Sequence, residues 1–239
     1  MRKRRKRQGA RPLYRTQIGA NLKPMTKTIL TFGDSNSHGT PPMHDFSHHP
    51  RHLRRWPVVV AETLGCTVIE EGLPGRLAAG HADTIMGPEM NGQLGLRIAL
   101  ASHGPIDLLT IMLGTNDLKL DHGKTATQIA ASVASLIKIA QDADIQAKHG
   151  GFGILLICPP PILEEGTFAS DFAGQRAVSE ALSAAYAFVA KARGTWFLDA
   201  GAHITSSPTD GIHFDATAHE TLGRAVASEI KRREDGGVI

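Results

Sequence analysis

Short apolar runs alternate with longer amphipathic stretches along most of this chain, and that alternation limits its fold more than any other feature. Residues 28–32 (TILTF) read as a first strand and residues 56–64 (WPVVVAETL) as a helix, with Pro57 tolerated in its first turn. Residues 66–70 (CTVIE) follow as a second strand and 92–103 as a helix. Residues 106–113 (IDLLTIML) form a continuous apolar run, as expected of a parallel strand buried on both faces. One long Ala-rich helix is expected over 125–148, a fourth strand over 153–158 (GILLIC), and a second Ala-rich helix over 171–193, stopped by Gly194. Residues 195–198 make a fifth strand and 215–233 a closing helix. Such alternation predicts a three-layer α/β/α domain with a parallel sheet of about five strands and right-handed crossovers. The 239 residues suit one domain of this kind.

Charge is unevenly placed. The whole chain carries a net +3, yet residues 1–24 hold nine Arg and Lys and no acid, leaving 17 basic against 23 acidic residues elsewhere. The body, a single domain over 25–239, is therefore acidic. The first 24 residues have no periodicity and little apolar content, so they read as a basic, disordered extension upstream of Met25, a natural-looking start. No apolar h-region of a secretory signal follows them, and no apolar run approaches the roughly 18 residues of a membrane span. Neither a nucleic-acid partner nor a membrane is expected. Cys66 and Cys158 lie in separate apolar runs with no metal-ligand spacing, which points to free thiols and a cytoplasmic protein.

The chemistry-bearing residues fall just after the predicted strands, where open α/β sheets place their sites. Gly33-Asp34-Ser35 follows the first strand, Gly72-Leu73-Pro74-Gly75-Arg76 the second, and Gly114-Thr115-Asn116-Asp117 the third. Asp210-Gly211-Ile212-His213 precedes the last helix. A serine hydroxyl needs a base, and an imidazole base needs a carboxylate to hold its tautomer. Ser35, His213 and Asp210 supply that set. An oxyanion needs aimed donors, and the Ser35 N–H, the Gly75 N–H and the Asn116 side-chain amide are the candidates. Asp34 and Asp117 read as structural, their carboxylates bonded to loop N–H groups. The Gly-x-Ser-x-Gly elbow is absent, since Ser37 stands in place of its second glycine. His38, His44, His48, His49 and His52 fit no closed metal pattern, and neither metal nor cofactor is expected.

These blocks resemble those of the SGNH (GDSL-type) hydrolases, named for Ser, Gly, Asn and His in four blocks. The resemblance implies a flavodoxin-like hydrolase fold and carries over Ser35 as nucleophile, Gly75 and Asn116 as oxyanion donors, and Asp210 with His213 as acid and base. Glu70-Glu71-Gly72-Leu73, Ile111-Met112-Leu113-Gly114-Thr115-Asn116-Asp117, Asp210-Gly211-Ile212-His213-Phe214 and Arg55-Trp56 look like the arylesterase/acyltransferase branch. That branch implies hydrolysis of short acyl esters, with acyl transfer to alcohols or peroxide as a further capacity, and a homo-oligomer. Pro74-Gly75 stands where related members carry Ser-Ala; the backbone donor survives either way, but Pro74 differs in kind. With no N–H of its own, it stiffens the loop and bears on the choice between water and other acceptors.

The sequence thus predicts a serine esterase acting on a small-molecule ester, with a carbohydrate O-acetyl esterase using the same triad as the alternative. Trp56, Pro74 and Phe214 are the candidate substrate contacts, with Trp56 and Phe214 expected to be half-buried beside the site.

Overall fold

The computed structural model describes residues 26–43, 50–80 and 87–236. The expectations for residues 1–24, Met25, His44, His48 and His49 lie outside these residues. Five strands, β1 (Thr28–Gly33), β2 (Thr67–Gly72), β3 (Leu108–Met112), β4 (Gly153–Cys158) and β5 (Trp196–Asp199), form one sheet in the order β2-β1-β3-β4-β5. All neighbours are parallel. The chain runs outward from β1 to β2 and then crosses back to β3, so the loops after β1 and β3 flank a topological switch point. Register completes the arrangement. Gly33 aligns with Gly72 on one side and Met112 on the other, so three strands end level and deliver their following loops to one edge.

Among the described residues seven α-helices flank the sheet: α1 (Ser35–His38), α2 (Trp56–Leu64), α3 (Gly92–Ser102), α4 (Ala126–Ala140), α5 (Ala143–His149), α6 (Arg176–Arg193) and α7 (Ala216–Asp235). Helices α2 and α7 pack together on one face, and α3, α4 and α6 cover the other. Alternate strand residues feed the two cores. Leu30, Phe32, Leu109, Ile111 and Leu156 face α3, α4 and α6, while Ile29, Leu108, Met112 and Leu155 face α2 and α7. Each such fully buried side chain stabilises the fold by about 1.5–3 kcal/mol relative to exposure. The continuous apolar runs thus reflect a sheet with no solvent face.

Two helices differ from expectation. The segment 125–148 divides into α4 and α5 because Asp142 caps a new helix, its Oδ1 accepting the Asp144 and Ile145 N–H groups at 3.1 and 3.3 Å. Helix α6 begins at Arg176 rather than 171; Gly174, at φ 75°, interrupts the backbone before it, and Glu164 caps the Arg176 N–H at 2.8 Å. Cys66 and Cys158 are both free. Among the described residues no helix is long and apolar enough to cross a membrane.

Candidate active site

The loop after β1 turns at once into α1. Asp34 caps this short helix, its Oδ1 accepting the Asn36 N–H at 2.9 Å. The helix lies so close to the end of β2 that a Cβ on Gly72 would sit 2.3 Å from the His38 nitrogen, so glycine is required there. Ser35 occupies the first helical position, where an α-helix leaves the N–H without an internal partner.

His213 reaches Ser35 from the loop before α7. Its Nε2 lies 2.9 Å from Ser35 Oγ, and its Nδ1 lies 2.7 Å from Asp210 Oδ2. All three side chains are buried. With the proton on Nδ1 facing the carboxylate, Nε2 presents a lone pair to the serine hydroxyl. Asp210 Oδ1 also accepts the Ile212 and His213 N–H groups, at 3.1 and 2.9 Å, and Oδ2 accepts the Met43 N–H at 3.1 Å. Burial pushes the Asp210 carboxyl up, but the His213 ring and the His213 and Ile212 N–H groups outweigh it and hold it below its ordinary value. Asn36 links the two halves of the site, its side-chain amide donating to the Ile212 carbonyl at 3.0 Å. The Phe168 ring meets His213 edge-on at 5.9 Å between centroids.

Opposite the histidine, Leu73-Pro74-Gly75-Arg76 closes a β-turn through the Arg76 N–H on the Leu73 carbonyl, at 3.1 Å. Proline second and a glycine at φ 85° third are the type II pattern, which only glycine fills readily. Asn116 opens a 3₁₀ turn after β3 and donates from Nδ2 to the Arg76 carbonyl at 3.1 Å, with Asp34 Oδ2 farther off at 3.4 Å. Burial raises the Asp34 carboxyl to about 6. Asp117 accepts the Ala78 N–H at 2.8 Å and pairs with Lys124 Nζ at 2.6 Å, tying the loop after Gly75 to the loop of Asn116. Both acids bond loop N–H groups, as a structural role requires.

The structure therefore brings Ser35, Asp210, His213, Asn116 and the Gly75 turn to one edge, with half-buried Pro74 at the corner of that turn. Trp56 and Phe214 correct the expectation of half-buried pocket walls. Both are fully buried in the core shared by α2 and α7, where Phe214 packs edge-on to His219 at 5.5 Å. They face the core because each opens or precedes a helix whose apolar side turns to the sheet. Sequence reasoning missed the Met43 N–H, the Asn36 amide and the Arg76 guanidinium, all of which work through backbone groups that no motif displays.

With this geometry in place, comparison with known proteins decides the family. The GDSL-like lipase/acylhydrolase family matches residues 31–221. The chain belongs to that family. Among solved structures it is similar to a carbohydrate acetylesterase from Sinorhizobium meliloti, at 32% identity over 86% of this chain and 99% of that one, with a TM-score of 0.80. It is equally similar to the aryl esterase of M. smegmatis, at 33% identity, the same coverage and a TM-score of 0.80. No curated protein sequence gives a significant match. As a GDSL hydrolase with such neighbours, the protein is a carboxylic ester hydrolase with the three-layer fold expected from its sequence.

Proposed function

We propose that this GDSL hydrolase cleaves short-chain acyl esters through an acyl-enzyme on Ser35. The observation that carries the reading is the continuous chain from Ser35 Oγ through His213 to Asp210, at 2.9 and 2.7 Å. As Oγ bonds to the ester carbonyl carbon, its proton passes to His213 Nε2, and Asp210 stabilises the imidazolium. The negative charge gathers on the former carbonyl oxygen. Donors for it are the Ser35 and Gly75 N–H groups and the Asn116 N–H that meets Asp34 only at 3.4 Å. The alcohol leaves with the His213 proton, and water repeats the sequence to free the acid. Acceptors other than water, alcohols or peroxide, give acyl transfer, with Pro74 stiffening the oxyanion turn.

The similarity to a carbohydrate acetylesterase supports a second reading, deacetylation of sugars by the same residues. Initial rates on p-nitrophenyl acetate, butyrate and octanoate beside a panel of acetylated sugars separate the two. Preference for the aryl acetate supports the first reading, and turnover confined to the sugars supports the second.

The same reading takes residues 25–239 as one hydrolase domain after a basic extension over 1–24. Two unpaired cysteines support a cytoplasmic location. Leu94 and Ile98, one turn apart on α3 and 45% and 57% exposed, support a homo-oligomer.

A further inference from the structure

Arg76 is a junction between the three loops that carry the oxyanion donors. Its side chain is 5% exposed. Nη1 donates to the Gly33 carbonyl at 3.0 Å, two residues before Ser35, and to the Glu71 carbonyl. Its guanidinium carbon lies 4.2 Å from the centroid of the Phe32 ring. Helix α3 passes at Gly95, where an added methyl would already touch Nη2 at 3.4 Å. The main chain is engaged as fully: the Arg76 N–H closes the Gly75 turn on the Leu73 carbonyl at 3.1 Å, and its carbonyl accepts from Asn116 Nδ2 at 3.1 Å. Burying a cation here is expensive. Nε is buried without a partner, and burial lowers the guanidinium to about 10, which leaves it charged at neutral pH. An aliphatic side chain would fill the space without that penalty, so packing alone does not explain the residue.

We propose that Arg76 is the positioning residue of the oxyanion hole, fixing the spacing of the Ser35, Gly75 and Asn116 donors by tying its side chain to the ends of β1 and β2 and its carbonyl to Asn116, without touching the substrate. This rests on Ser35 being the nucleophile. One terminal nitrogen, Nη1, serves both carbonyls while the planar group lies over the Phe32 ring, and a lysine ammonium does not reproduce that stacked, planar placement. Loss of one oxyanion donor slows such enzymes by about 10²–10³, and displacement of donors that remain present is expected to cost less, about 10–100-fold.

The test compares wild type, Arg76→Lys, Arg76→Gln and Ser35→Ala on p-nitrophenyl acetate, with thermal melting to confirm folding. Phenylboronic acid, which forms a tetrahedral adduct on a serine nucleophile, probes the hole without turnover. Both Arg76 variants are expected to lose about 10–100-fold in kcat with KM within about threefold, and to lose boronate affinity by a similar factor. Folded variants within about twofold of wild type in both readouts would overturn the proposal. So would full activity in Arg76→Lys beside a defective Arg76→Gln, since charge alone would then suffice. If neither variant folds, Phe32→Leu removes the ring beneath the guanidinium and is judged by the same two readouts. Turnover that survives Ser35→Ala overturns the site reading itself, whereas turnover lost there but intact in the Arg76 variants overturns only the positioning role.

Discussion

Asp210 holds His213 with both carboxylate oxygens: Oδ2 meets the imidazole Nδ1 at 2.7 Å, and Oδ1 accepts the His213 main-chain N–H at 2.9 Å. One residue thus sets both the tautomer of the ring and the path of the loop that carries it. The two tasks are separable by mutation. Asp210→Asn retains an oxygen for the main-chain N–H groups but loses the anion, so kcat/KM is expected to fall by about 10²–10⁴ with little change in melting temperature. Asp210→Ala is expected to lose similar activity and also about 1–3 kcal/mol of stability, as the Ile212, His213 and Met43 N–H groups lose their acceptor. Steady-state kinetics beside denaturant unfolding of both variants checks this.

In the proposed mechanism Asn116 acts on the transition state through its amide. Asn116→Ala is expected to lower kcat by about 10²–10³ while KM changes little. Equal loss in KM would instead place the amide in ground-state binding. Initial-rate kinetics over a range of ester concentrations distinguishes the two.

Two buried groups give stability opposite pH dependences. His219 on α7 is enclosed by Trp56, Phe214 and His52, and its Nδ1 accepts the Trp56 N–H at 3.3 Å. Burial foremost, helped by neighbouring positive groups, lowers it from 6.5 to about 3. The unfolded chain therefore takes up this proton first, and the stability it confers is full above 6.5 and drains away as pH falls towards 3. Asp34, raised by burial from 3.8 to about 6, runs the other way, its contribution full at low pH and lost as pH rises through that window. Melting curves from pH 4 to 8 are expected to show a shallower acid loss in His219→Leu. Asp34→Asn, which keeps a capping oxygen, should gain on wild type as pH rises.

The Asp117–Lys124 pair braces the far side of the Gly75 turn. Asp117 is fully buried, and burial raises its carboxyl against the opposing pull of Lys124. Lys124→Met leaves that acid without its cation and is expected to cost about 3 kcal/mol of stability. Asp117→Asn in the same background should recover part of it. Chemical denaturation of the single and double variants measures both.

The strands and most helices were legible because a doubly covered parallel sheet leaves continuous apolar runs, as in residues 153–158. The break between α4 and α5 was also written in the chain, in the Asp142 and Asp144 pair, but alanine content on either side masked it. Within the candidate site, Ser35, Asp210 and His213 were readable because the contacts that join them run through their side chains. Arg76, Asn36 and Met43 were not, since they act through carbonyls and N–H groups whose proximity depends on sheet register and loop docking. Trp56 and Phe214 show the converse limit. Each is next to a recognisable motif in sequence, yet the helices they open or precede turn them into the core.

Covalent labelling of Ser35 tests the central claim most directly. The active protein would be treated with a fluorophosphonate and the modified peptide mapped by mass spectrometry. The account predicts a single adduct on Ser35, formed in step with loss of esterase activity and absent in Ser35→Ala. Inactivation with the adduct on another residue, or full activity in a protein labelled at Ser35, would contradict it.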